Sequence, residues 1–213
     1  MKFKKFTFNP FQENTYIIYD GTKECIIVDP GCYYPQEFES LKKYVDDNGL
    51  KPIAIINTHC HIDHVLGVQD CIDEWNLPFI GNALEQLNLD RLEFQAQMFG
   101  LPLNSAVPEF SQTINEGDKY SFGESTLDVL FVPGHSPGHL AFYSQKNALL
   151  ISGDVLFKSS IGRTDLPGCN HNDLIKSIKD KIFMLPEQTT ILAGHMENTS
   201  VGVEKATNPF FNN

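Results

Sequence analysis

Apolar residues recur along this chain in two rhythms. Segments near 3–8, 14–19 and 24–29 carry the alternating or β-branched pattern of strands. A helix is expected over 35–48, with Pro35 in its first turn and Gly49 as its stop. Residues 52–57 read as a further, buried strand, and 67–75 as a short helix. In 83–99 the spacing of Leu84, Leu87, Phe94 and Met98 predicts one longer helix with those side chains toward the core. After Pro108 a second series of strands is expected at 118–122, 125–132, 139–144 and 147–152. A helix over 172–185 follows, with Leu174, Ile175, Ile178, Ile182 and Phe183 on its apolar side. Strands followed by a helix therefore occur twice.

The ends of four of these strands carry the chemistry. Residues 53–57 run into His59-Cys60-His61-Ile62-Asp63-His64, a His-x-His-x-Asp-His motif. Residues 127–132 run into Pro133-Gly134-His135, 148–151 into Ser152-Gly153-Asp154, and a strand at 190–192 into Ala193-Gly194-His195. A glycine before His135, Asp154 and His195 lets the backbone turn a side chain back over a sheet edge. Five of the seven histidines and two aspartates make up this set, which argues for a shared centre. Imidazole suits zinc, iron and manganese, and carboxylate also bridges cations, so the set points to two metals.

Composition narrows the class. With 41% hydrophobic and 20% charged residues, the chain can bury a sizeable core, and at 213 residues one domain spanning 1–213 is expected, undivided by any linker. A formal charge of -11 argues against nucleic acid or an anionic membrane as a partner. No signal peptide or membrane span is recognisable, so a cytoplasmic location is expected. Cysteines 25, 32, 60, 71 and 169 show no paired spacing, so reduced thiols are expected, with Cys60 a non-ligand. His139 is expected to make structural hydrogen bonds, and His171 to lie at the surface or cap the late helix.

His59, His61, Asp63, His64, His135, Asp154 and His195 together resemble the metal-binding pattern of the metallo-β-lactamase superfamily. The flanking segments are similar to the glyoxalase II-like hydrolases of the short form. They are Glu13-Asn14-Thr15-Tyr16, Val28-Asp29-Pro30-Gly31, Ser160-Ile161-Gly162-Arg163-Thr164-Asp165-Leu166-Pro167, and the run from Gly202 to Phe210. The resemblance implies an α/β fold, a four-layer αβ/βα sandwich of two mixed β-sheets flanked by helices. It also implies that His59, His61 and His135 hold one metal, that Asp63, His64 and His195 hold the other, and that Asp154 bridges them. Asp63 and Asp154 would be the catalytic carboxylates, and Asp29 would support the metal loops without binding metal. The two divalent ions would be zinc, with iron or manganese as alternatives, and a hydroxide bridging them would attack a carbonyl carbon.

Hydrolysis of a small thioester, such as a 2-hydroxyacyl thioester, is the activity this implies. Arg163 would order its loop or bind an anionic substrate, and Cys169 stands where relatives commonly carry a second glycine. Glyoxalase II enzymes of full length add a C-terminal helical domain that helps bind glutathione, whereas this chain ends soon after Phe210, so specificity for that thiol is not implied. Two other classes stay open: a persulfide dioxygenase using one iron on two histidines and one aspartate, and a non-catalytic metal-binding module. Oligomeric state is not legible.

Overall fold

The computed structural model describes residues 1–212. Two compact units emerge, one of Met1–Ile114 with Ser121–Ser125, the other of Asn115–Tyr120 with Thr126 onward.

The first unit is built on β1 (Lys2–Phe8), β2 (Glu13–Tyr19), β3 (Glu24–Val28), β4 (Lys51–Ile56), β5 (Phe79–Gly81) and β6 (Gln112–Thr113), in that spatial order. The first three strands pair antiparallel and the rest parallel. Helix α1 (Pro35–Asp47) begins with its proline at the first turn, as expected, and stops where Gly49 takes φ +59°. Helix α2 (Val68–Trp75) starts after Gly67, whose amide donates to the Pro30 carbonyl at 2.8 Å. Ile17, Ile27, Leu41, Val45, Ile55, Ile62 and Phe79 lie in the core of this unit. The buried Ile62 anchors the ligand motif in that core.

The segment 83–99 departs from the single helix expected. It forms a 3-10 turn at Ala83–Glu85, then α3 (Gln86–Leu89), a break at Asp90 and Arg91, and α4 (Leu92–Phe99). Leu84, Leu87, Phe94 and Met98 are exposed, while Glu85, Asn88, Leu89, Leu92 and Ala96 are buried. Two of the inward positions are taken by polar side chains with fixed partners. Glu85 Oε2 accepts from the Cys60 amide at 2.8 Å and from Asn88 Nδ2 at 2.7 Å. A hydrophobic pattern alone assigns such residues to the outside.

The second unit carries β7 (Lys119–Phe122), β8 (Ser125–Phe131), β9 (Leu140–Ser144), β10 (Leu149–Gly153), the small hairpin β11 (Leu156–Phe157) with β12 (Ser160–Ile161), β13 (Thr190–Ala193) and β14 (Thr199–Ser200). Its main sheet runs β14-β13-β10-β9-β8-β7, with β10 and β13 parallel. Ser125, the first residue of β8, and Ser121 and Phe122 at the end of β7 cluster with the first unit. Helix α5 (His171–Asp180) is capped by Asn170 and buries Leu174 and Ile178, and α6 (Val201–Thr207) is capped by Ser200. His171 is thus the exposed first residue of a helix and not its cap. No helix among the described residues is long and apolar enough to cross a membrane.

Gly134 has φ +138°, and a Cβ there would run into the backbone of Leu174 at the start of α5. Gly134→Ala is therefore expected to cost about 3 kcal/mol, since neither backbone yields easily. A urea-unfolding midpoint within error of wild type would refute this.

Asp20, in the first unit, accepts from the Thr22 amide and hydroxyl at 2.9 and 2.6 Å, the Glu124 amide at 2.7 Å and the Ser125 hydroxyl at 2.8 Å. Desolvation opposes its ionisation, but these donors, the Thr22 hydroxyl foremost, outweigh it and bring the carboxyl down to about 2. A carboxyl depressed below its unfolded value of about 3.9 stabilises the fold above roughly pH 4 and ceases to as pH falls through about 2. Asp20→Asn should lower the urea midpoint near neutral pH, and the deficit should vanish near pH 2. A deficit independent of pH would contradict this account.

Candidate metal centre

In the first unit the ligand motif leaves the end of β4 as a loop held by its neighbours' side chains. Asn57 donates its Nδ2 to the carbonyls of His59 (3.2 Å) and His64 (2.8 Å), closing the loop on itself. Asn9 Nδ2 holds the Asp63 carbonyl at 2.9 Å, and Gln95 Oε1 on α4 accepts from the Ile62 amide at 3.3 Å. With Glu85 on the Cys60 amide, every second residue of the loop from Cys60 has a fixed main-chain partner. His59, His61 and His64 are buried, with ring centroids 4.8 Å apart for His59–His61 and 4.1 Å for His59–His64.

The hydrogen bonds assign the tautomers. Asp29 Oδ1 accepts from the Thr58 amide at 2.7 Å, and Oδ2 from the Thr58 hydroxyl at 2.6 Å and from His64 Nδ1 at 3.1 Å. A carboxylate oxygen only accepts, so Nδ1 of His64 carries the proton and its lone pair lies on Nε2. The Thr58 hydroxyl spends its proton on Asp29, so at 3.0 Å it accepts from His59 Nδ1, which places the His59 lone pair on Nε2 as well. Asp29 approaches His59 and His64 closely enough to be read as a ligand, with candidate donor atoms all within 4.8 Å. Its three accepted hydrogen bonds make it an orienting carboxylate instead.

In the second unit the parallel pairing of β10 with β13 brings Gly153 level with Ala193, so Asp154 and His195 emerge from the same sheet edge. Gly153 takes φ +50°, the left-handed turn that the sequence pattern anticipated. Asp154 Oδ2 lies 3.5 Å from His135 Nε2 and 3.4 Å from His195 Nε2, one oxygen facing two imidazoles. His135 Nδ1 donates to the Arg163 carbonyl at 2.8 Å, leaving its lone pair on Nε2 toward Asp154. His139 does what was expected of it: its Nε2 accepts from the Asp154 amide at 3.1 Å. Arg163 grips Asp165 through Nε (2.7 Å) and Nη2 (2.8 Å), and that guanidinium holds Asp165 down at about 2. Arg163 thus orders its own loop, and its carbonyl reaches the site while its side chain faces solvent.

Imidazoles with Nδ1 committed to protein acceptors and Nε2 left as a donor atom, alongside carboxylates, are the donor set of a divalent transition-metal site. The residues present fit such ions. Cys60 is in none of these clusters, and burial, then the nearby Glu85 and Asp29 carboxylates, push its thiol well above the usual range. Burial likewise pushes Glu13 well up, and its carboxyl lies 3.9 Å from His64 Nδ1. Of the loop's supporting residues, Asn9, Asn57, Thr58, Glu85 and Gln95 went unnoticed in the sequence. Only Asn57 and Thr58, which lead directly into the motif, offered any signal.

Residues 8–195 match the metallo-beta-lactamase superfamily. The chain is 35% identical to the hydroxyacylglutathione hydrolase GloC of Haemophilus influenzae, over 95% of this chain and 94% of that protein. Among solved structures it is similar to the BLEG-1 B3 metallo-beta-lactamase, with 37% identity, a TM-score of 0.91 and full coverage of both chains. It is also similar to TTHA1623 in a di-iron-bound form, with 36% identity and a TM-score of 0.87 over 97% of this chain and 99% of that one. The α/β fold of two mixed sheets with flanking helices is the one these structures share. The chain belongs to the metallo-β-lactamase superfamily. Within it, the chain is a metal-dependent hydrolase with His and Asp clusters suited to divalent ions.

Proposed function

We propose that this protein hydrolyses a small thioester, such as a 2-hydroxyacyl thioester, using two divalent ions. The observation that carries the reading is the single Asp154 oxygen facing the Nε2 atoms of both His135 and His195, as a bridging carboxylate would. Following the family's division, His59, His61 and His135 hold one ion, Asp63, His64 and His195 the other, and Asp154 serves both. Ions bound there supply an activated water and a Lewis acid for the carbonyl oxygen. The chain's own residues hold and orient. Asp29 and Thr58 lock His59 and His64, the Arg163 carbonyl locks His135, and His139 fixes the backbone of Asp154. Arg163 serves through that carbonyl, its guanidinium being paired with Asp165 and turned to solvent. Zinc is the first choice of ion, and the di-iron form of TTHA1623 supports iron as an alternative.

The similarity to GloC supports a thioester, and the similarity to a β-lactamase makes β-lactams the control substrate. Protein purified without chelator is expected to contain about two metals per chain and to hydrolyse acyl thioesters, losing turnover with chelator and regaining it with metal. About one iron per chain, with oxygen consumed on a persulfide, would replace this reading with the dioxygenase.

A further inference from the structure

Glu204 on α6 is a carboxylate with 0% exposure and no assigned role. A buried carboxylate is costly unless every lone pair is met. Its Oε2 accepts from the Ser159 amide at 2.9 Å and from Asn208 Nδ2 at 2.8 Å, and its Oε1 accepts from the Thr199 hydroxyl at 2.5 Å. Asn208, also 0% exposed, donates the same Nδ2 to the Ser160 carbonyl at 3.0 Å. Four residues apart, Glu204 and Asn208 share a face and grip two consecutive residues of a single turn. That turn joins β11 to β12, and Ser159 sits in it at φ +58°, a conformation serine adopts only when held.

The hairpin so gripped begins and ends at the metal-ligand residues of the second unit. It leaves Asp154, turns at Ser159, and returns through Gly162, whose amide donates to the Val155 carbonyl at 3.3 Å. Gly162 lies so close to the Asp154 carbonyl that a Cβ would collide with it, and that Cβ would stand 3.1 Å from His135 Nδ1. The next residue is Arg163, whose carbonyl accepts the His135 Nδ1 proton. We propose that Glu204 and Asn208 are a positioning pair. By clamping the hairpin tip, they hold the Arg163 carbonyl on His135 and keep His135 Nε2 aimed beside Asp154.

The assignment of His135 and Asp154 as ligands rests on the proposed function, so the decisive readout is taken on metal-free protein. In wild type, the His135 Nδ1 proton is expected as a resolved, slowly exchanging imidazole N–H resonance. Glu204→Ala removes the acceptor of the Ser159 amide and of Asn208 Nδ2, and Asn208→Ala releases the Ser160 carbonyl. Each should speed exchange of the His135 Nδ1 proton by about tenfold or more, while amide protection in β10 stays as in wild type. In cobalt titrations each should weaken binding by about 10–100-fold, the usual effect of losing support behind a metal ligand. If Glu204→Ala fails to fold, Asn208→Ala decides. Folded variants with wild-type exchange at His135 and cobalt affinity within about twofold of wild type would overturn the proposal. Wild type that binds no cobalt but shows the expected exchange difference would sink the proposed function and leave the positioning pair standing.

Discussion

Asp154→Ala is expected to lower kcat/KM by about 10³-fold or more, the scale of losing a group that acts at the reacting centre, while the fold persists. Asp154 sits at the end of β10 with its side chain 9% exposed, and the hydrogen bond that holds its place, from its amide to His139, does not use the carboxylate. Truncation therefore removes the carboxylate oxygens and leaves that hydrogen bond in place. Two imidazoles, His135 and His195, lose the oxygen they face, so both ions of the proposed centre lose a ligand at once. Metal content should fall from about two per chain to one or none, with circular dichroism and the melting temperature close to wild type. Near-normal turnover on the thioester would end the two-metal mechanism. A variant that unfolds would instead show that the carboxylate is needed to keep His135 and His195 apart.

The candidate ligands were legible in this sequence because each follows a strand that announces itself. Ile55 and Ile56, Leu150 and Ile151, and Ile191 and Leu192 are buried at strand ends, and the residues beyond them have nowhere to go but the sheet edge. Turn glycines sharpen this: Gly134 and Gly153 take the positive φ that their placement before His135 and Asp154 suggested. The supporting shell was legible only where it was local. Asp29 and His139 sit near recognisable motifs, but Glu85 reaches Cys60 and Gln95 reaches Ile62 across 25 and 33 residues of sequence. Contacts of that kind leave no periodic trace. Segment 83–99 shows the consequence: the polar residues that stabilise the ligand loop occupy the inward face of the helices, and Leu84, Leu87, Phe94 and Met98, which carried the periodicity, are turned to solvent. Glu204 and Asn208 were hidden for the same reason, since their partners Ser159 and Ser160 lie more than forty residues upstream.

Asp29→Asn is expected to weaken metal binding by about 10–100-fold, and more broadly than any other change outside the ligands. One carboxylate serves two histidines here. It accepts His64 Nδ1 directly and accepts the Thr58 hydroxyl, which in turn accepts His59 Nδ1. Asparagine keeps the size of the side chain and tolerates the left-handed backbone, φ +49° at this position, so folding is not the variable under test. Its amide has one acceptor oxygen where the carboxylate has two, and its NH₂ must face either the Thr58 amide or the pair formed by the Thr58 hydroxyl and His64 Nδ1. Either orientation sets donor against donor: toward the Thr58 amide it pushes away the backbone that carries the relay to His59, and toward the hydroxyl and His64 it frees both imidazoles to turn or change tautomer. Thr58→Val breaks only the relay to His59, so its effect should be smaller and confined to one of the two ions of the proposed centre. Competition with a chromophoric chelator separates these cases, because Asp29→Asn should shift both binding steps and Thr58→Val only one. Equal effects from the two variants would mean that His64 is held by something other than Asp29, and the buried Glu13 carboxyl 3.9 Å away would be the group to examine.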